Sequence, residues 1–202
     1  MENSVVESEF KKVLNVGGNN KSIPIPACFD GWQHDLLDID PRGNPDIVCD
    51  SREMWRLPPR QYDAVYCSHN LEHYFSHDVF KVLKGFRLIL KKDGFVYIKV
   101  PNLLGVMQTV IETGMELDDE LYVTPSGASI APIDVFFGWR TQIEQSCVDY
   151  FGHKTGFSVS LLVRTLKQSG FTDVFTQHDD KEILALAFSS EPNEEQKQML
   201  NL

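Results

Sequence analysis

Three histidines are the groups in this chain best suited to proton transfer near neutral pH: His69, His73 and His153. The first two fall in the segment YDAVYCSHNLEHY, Tyr62 to Tyr74, where an apolar, β-favouring run (Ala64, Val65, Tyr66, Cys67) gives way abruptly to Ser68-His69-Asn70. A buried strand ending this way sets polar side chains at the carboxyl edge of a sheet, where open α/β sheets hold their ligands. If the segment continues as a helix, His73 lies one turn beyond His69 and both face one side. His73 can equally be a structural histidine packed beneath a loop. His153 sits in VDYFGHKTGF, with Asp149 and Tyr150 close by, and reads either as a group reaching over the site or as an ordinary loop residue.

A second set of residues has the chemistry to hold a nucleoside. In LLDIDP a carboxylate at a strand end offers two fixed acceptor oxygens that match a vicinal diol. Asp38 is the first choice and Asp40 the second, since Asp40-Pro41 is also ordinary turn chemistry. In CDSRE, Asp50 can accept from an adenine amino group and the Ser51 amide can donate to a ring nitrogen. Capping of a helix by Asp50 or Ser51 is compatible with that role. The turn VLNVGGNN brings Gly17 and Gly18 after a strand, and glycine lets a backbone approach a ligand closely. It is not the G-x-G-x-x-G fingerprint, and Pro24 and Pro26 stop a full-length helix from starting there. A pyrophosphate needs such a helix N-terminus, so the turn favours a cofactor without phosphates.

The elements that position these groups follow from alternating β-rich and helical patterns. Strands are expected at Lys12 to Val16, up to about Asp40, at Asp46 to Cys49, at Ala64 to Cys67, and at Phe95 to Val100 after an Asp93-Gly94 turn. Between the last two, Val79 to Leu90 recurs at helical spacing, with Ser76 as N-cap and Lys91 and Lys92 in the last turn. Helices are also expected from Leu103 to Thr113, stopped at Gly114, and from Ser158 to Ser169, followed by Gly170. Thr172 to Thr176 and Ile183 to Phe188 read as a hairpin joined by a charged turn. One domain covers residues 1–190, and 191–202 form a polar tail. Residues 115–157 show no clear period, and a long irregular segment in a compact domain is often a lid or a substrate wall. Its aromatics Phe136, Phe137, Trp139 and Tyr150 suit an apolar wall or core packing.

With 202 residues, 42% hydrophobic and 24% charged, the chain has the composition of a globular domain with a substantial core. A net charge of -10 without a basic run argues against nucleic acid as partner. No apolar run is long enough to span a membrane and the N-terminus lacks signal-peptide features, so cytoplasmic residence is the default expectation. Cys28, Cys49, Cys67 and Cys147 have no C-x-x-C spacing and read as reduced, buried small hydrophobes; no metal ligand set is expected.

With the strand ends in this order and SHNLEH after the fourth, the chain resembles the class I S-adenosylmethionine-dependent methyltransferases, closest to a bacterial branch of predicted methyltransferases with a SHxLEH motif. The resemblance runs from about Lys12 to Phe188, and YDAVYCSHNLEHY and LKKDGFVYIKVPN are its most specific parts. It implies an α/β fold, a Rossmann-like doubly wound seven-stranded sheet with the last strand antiparallel, which the C-terminal hairpin fits independently. It further implies that Gly17 and Gly18 line the methionine moiety, Asp38 holds the ribose, Asp50 and Ser51 hold the adenine, and Ser68 and His69 lie near the sulfonium. Asn15 stands where the family usually has an acidic residue; it can bond to the methionine part but cannot neutralise an ammonium group. The loop also lacks the family's usual third glycine.

The implied activity is methyl transfer to a small-molecule or sugar acceptor, most readily at oxygen. Such transfer needs in-line attack on the sulfonium, and a base is required only when the nucleophile is protonated and poorly acidic. A non-catalytic S-adenosylmethionine-binding or partner-binding module on the same fold is the alternative, and an NAD-dependent oxidoreductase needs a better phosphate loop than VGGNN.

Overall fold

The computed structural model describes residues 10–202. Its strands are β1 (Lys12–Val16), β2 (Gln33–Asp38), β3 (Ile47–Val48), β4 (Tyr62–Ser68), β5 (Leu90–Pro101), a small hairpin β6 (Tyr122–Val123) and β7 (Ser129–Ile130), then β8 (Asp173–His178) and β9 (Glu182–Phe188). The helices are α1 (Ser76–Ile89), α2 (Leu103–Thr113), α3 (Pro132–Phe137), α4 (Arg140–Ser146), α5 (Val159–Gln168) and α6 (Glu194–Leu200).

Seven strands form one sheet in the order β3-β2-β1-β4-β5-β9-β8. The first five are parallel, and β9 runs antiparallel to both β5 and β8. From β1 the chain moves outward to β2 and β3, then returns to β4 on the other side. The carboxyl ends of β1 and β4 are therefore adjacent at the point where strand order reverses, and a ligand crevice opens there in such sheets. The observed sheet is the seven-stranded α/β sheet with an antiparallel last strand that the sequence implied.

Apolar residues fill both faces. Leu14, Val16, Val65, Cys67, Val96 and Ile98 pack on one side with α1 and α5. On α1, Val79, Val82, Leu83, Phe86 and Ile89 are buried at helical spacing, so truncating Phe86 to Ala would cost about 3–5 kcal/mol. The other face, with Val13, Ala64 and Phe95, is covered mainly by the β1–β2 connection and α6. The two prolines leave that connection only a short 3-10 turn, Ala27–Phe29, whose Phe29 ring stacks 6.2 Å from Phe95. The polar tail ends in α6, which buries Leu200 against this face.

Several local expectations are revised. Ser76 is the first residue of α1 rather than its cap; Phe75 precedes it in extended conformation. Lys91, Lys92, Asp93 and Gly94 belong to β5, which starts at Leu90, pairs with Tyr62, and shifts register before Ala64. Strand pairing there overrides the local turn signal. Cys49 follows β3 rather than lying in it, and of the free cysteines only Cys67 is fully buried while Cys147 is exposed. The 115–157 segment has local order: β6, β7 and α3 pack on α2 around Val106, Ile130 and Val135. The Asp134 carboxylate accepts from the Ala131 amide at 3.0 Å and from the Arg140 amide and Nε at 3.1 and 2.8 Å, tying α3 to α4. α2, with Gly114 as left-handed cap, and α5, capped by Ser158, form where the sequence indicated.

Candidate active site

The carboxyl edge of β1 is a tight turn held by two asparagines. Gly17 has φ +71°, and a Cβ there would lie 2.1 Å from Asn70 Nδ2. A Cβ on Gly18 would lie 2.2 Å from Asn15 Nδ2, so both glycines are required by side chains pressed onto the turn. Asn15 is buried, and its Oδ1 has no donor among the described residues. An unmet buried acceptor costs roughly 1–3 kcal/mol, and the ammonium of an amino acid moiety would supply the missing hydrogen.

Asp38 joins this turn to the next. Its Oδ2 accepts from the Asn19 amide and its Oδ1 from the Asp40 amide, each at 2.9 Å. Each oxygen keeps a second lone pair for a hydroxyl. Asp40 is more fully engaged: it accepts from Arg42 Nε at 2.9 Å, Arg42 Nη2 at 2.5 Å and the Tyr150 hydroxyl at 2.9 Å. The Arg42 guanidinium holds its carboxyl well below the usual carboxylate range.

Past β3, Asp50 caps the 3-10 turn Ser51–Arg56 through the Arg52 amide at 2.9 Å and pairs bidentately with the Arg52 guanidinium. Burial pushes Asp50 up, but the bonds from Arg52 outweigh it and the net direction is down. The Ser51 side chain is buried beside Tyr74 rather than facing outward. Next to Asp50, a cavity of about 330 Å³ is lined by Ile39, Ile47, Val48, Cys49 and Glu53. This slot, apolar at Ile39, Ile47, Val48 and Leu57 and charged at Asp50, Glu53 and Arg56, suits a flat heterocycle with polar edges; Ile39 and Val48 were not singled out in the sequence. A larger cavity of about 450 Å³, between Tyr97, Phe175, Leu186 and Met199, opens on the face covered by α6. The turn, the diol-matching carboxylate and the slot thus follow one another along the edge in the order of an amino acid, a ribose and an adenine.

Past β4 the structure gathers the three histidines around a residue the sequence reading passed over, Glu72. Ser68 is half-buried at the strand end, while His69 has φ +48° and a side chain 48% exposed. His69 Nε2 lies 2.9 Å from Glu182 Oε2, and its Nδ1 lies 3.6 Å from Glu72 Oε1, an ionic contact too long for a hydrogen bond. Burial lowers the His69 pKa, but Glu182 and Glu72 outweigh that and push it up to about 9, so the ring holds its proton at neutral pH. Glu182 also accepts from Lys99 Nζ at 2.8 Å.

His73 and His153 meet edge to face with centroids 4.7 Å apart. His73 Nδ1 lies 3.3 Å from the Gly152 carbonyl and His153 Nδ1 lies 2.8 Å from the Val135 carbonyl. A carbonyl only accepts, so Nδ1 carries the hydrogen in each ring and Nε2 keeps a lone pair. Burial pushes the His73 pKa down, favouring its neutral form. The Lys154 amide donates to the Glu72 carbonyl at 2.8 Å, fastening residues 152–155 against the end of β4. Of the aromatics expected near a substrate, Tyr150 reaches Asp40 and Phe136 packs on α2's cluster, while Phe137 and Trp139 are exposed. The signal for Glu72 was its place between His69 and His73 in SHNLEH, and Asn70 stood in the polar strand end Ser68-His69-Asn70; Glu182 and Lys99 carried none.

Residues 33–98, which span β2 to most of β5, match the family model described as a methyltransferase domain. No curated protein matches the chain. Among solved structures, a SAM-dependent methyltransferase from Archaeoglobus fulgidus is 15% identical over 89% of this chain and 86% of that one, with a TM-score of 0.54. The Burkholderia thailandensis 1,6-didemethyltoxoflavin-N1-methyltransferase, solved with 1,6-didemethyltoxoflavin and S-adenosylhomocysteine, is 15% identical over 90% and 72%, with a TM-score of 0.53. A Pyrococcus horikoshii OT3 protein is 13% identical over 92% and 84%, with a TM-score of 0.60. At these identities the likeness is one of fold. The matched segment is that of a methyltransferase domain, and the solved structures that share the fold include S-adenosylmethionine-dependent methyltransferases.

Proposed function

We propose that the protein moves a methyl group from S-adenosylmethionine to an oxygen of a small-molecule or sugar acceptor in the cytoplasm, as a branch of the methyltransferases bearing the SHxLEH segment. The observation that carries this reading is the meeting of His69, Glu72 and His73, past β4, with His153 from residues 115–157. The cofactor supplies an electrophilic methyl group on a sulfonium. Asn15 would accept from its ammonium, Asp38 from its ribose, and the slot beside Asp50 would take its adenine. His73 or His153 would take the hydroxyl proton of an acceptor at a free Nε2, while His69, already protonated, acts through its charge. The Tyr150–Asp40 bond ties the segment before α5 to the loop after β2. The acidic chain favours a small acceptor over nucleic acid.

A second reading, a cofactor-binding module without transfer, is favoured by Asn15 and by the arginines already clamping Asp40 and Asp50. Incubation with S-adenosylmethionine and a panel of phenols, sugars and hydroxy acids, following S-adenosylhomocysteine release, separates the two. Acceptor-dependent release supports transfer. Saturable cofactor binding with no release from any acceptor, amines and thiols included, supports the module.

A further inference from the structure

We infer that Glu72, His73 and His153 form a binding site for a divalent first-row transition metal ion. One ligand atom from each residue can be chosen so that all lie within 4.8 Å of one another. Glu72 is 1% exposed, and neither of its carboxylate oxygens has a hydrogen-bond partner among the described residues. A buried carboxylate kept without donors is costly unless a cation meets it. The nearest cationic group, His69, is 3.6 Å away and already bonded to Glu182.

Both imidazoles have their Nδ1 engaged by backbone. The Gly152 and Val135 carbonyls take up the Nδ1 hydrogens, which fixes the tautomer that leaves Nε2 free to bind. The three donors come from two distant parts of the chain, and the pairing of Lys154 with Glu72 brings those parts together. Two imidazoles with one carboxylate suit zinc, cobalt, iron or manganese and leave coordination positions open; magnesium and calcium prefer all-oxygen sites. The ion and a proton compete for the same Nε2 lone pairs, so the site with metal is a ligand set and without it a proton acceptor. Metal binding is separate from the methyl-transfer reading and is measured without cofactor or acceptor.

The test is calorimetric titration of tag-free, chelator-stripped full-length protein with Zn²⁺, and titration with Co²⁺ followed by its visible absorption. One ion per chain is expected, with intensified cobalt absorption and little response to Mg²⁺. Glu72→Gln and His153→Gln should each weaken Zn²⁺ binding by roughly 100-fold or more. Glu72→Gln keeps the shape of the side chain and removes an unmet charge, so its metal-free form should melt no lower than the metal-free wild type. Zn²⁺ should raise the melting temperature of the wild type alone. Absence of saturable Zn²⁺ binding, binding undiminished in Glu72→Gln, or a preference for Mg²⁺ over Zn²⁺ would overturn the proposal.

Discussion

The Tyr150 hydroxyl donates to the Asp40 carboxylate at 2.9 Å, joining the segment before α5 to the loop after β2 across the carboxyl edge of the sheet. The contact ties the segment that carries His153 to the loop that follows Asp38. Arg42 engages the same carboxylate and lies 3.4 Å from the Tyr150 oxygen, so the three side chains form one cluster. Tyr150→Phe removes one charge-assisted hydrogen bond and should lower stability by about 1–2 kcal/mol. Residues 139–157 should also be cut faster in limited proteolysis. Unchanged melting and cleavage would mean that the bond does not fasten this segment.

Asp38→Ala should weaken S-adenosylmethionine binding by about 1–3 kcal/mol, or roughly 5- to 150-fold, measured by calorimetry. The structure adds a second consequence. The Asn19 and Asp40 amides lose their acceptor, so the melting temperature should fall as well. Full cofactor affinity in this variant would remove Asp38 from the site.

Gly17→Ala combines a left-handed backbone angle with a Cβ 2.1 Å from the Asn70 amide. It should destabilise the protein by more than the roughly 1 kcal/mol expected from backbone strain alone. Adding Asn70→Ala should return part of that loss by making room for the methyl group. Denaturant unfolding of the two single variants and the double variant measures the coupling. Strict additivity would show that Asn70 does not press on the turn.

Glu182 is placed between His69 and Lys99. Burial pushes its pKa up, but these two cations outweigh burial and hold it at about 2, below its ordinary 4.5. A depressed carboxylate contributes stability that is present above the unfolded value and is lost as pH falls through the folded one. Wild type should therefore exceed Glu182→Gln by on the order of 1–2 kcal/mol at pH 7, after allowing for screening of this partly exposed group. The gap should close as pH falls from about 4.5 toward 2, read from urea midpoints at several pH values. A gap independent of pH would mean that the contribution is one of packing rather than charge.

Features set by local chemistry were legible in the sequence. Apolar runs ending in polar residues marked β1, β2 and β4, and Gly114 and Ser158 marked the ends of α2 and α5. The beginning of β5 was not, because Lys91 to Gly94 are strand only by virtue of pairing beside Tyr62. The site divides the same way. Asp38, Asp50 and His69 announced themselves by position at strand ends, and His73 and His153 by residue type, whereas the burial of Glu72 and the bridge from Glu182 to His69 depend on distant segments meeting. Residues 115–157 were hardest to read, since the segment takes its order from α2 and from the backbone of Glu72 rather than from its own periodicity.

The most direct measurement is calorimetric titration of the purified protein with S-adenosylmethionine, S-adenosylhomocysteine and NAD. Saturable one-to-one binding of the first two, with no response to NAD, is the predicted result. Binding of NAD, or of neither methyl donor nor its product in the presence or absence of Zn²⁺, would contradict the assignment of this edge to an adenosyl-methionine cofactor.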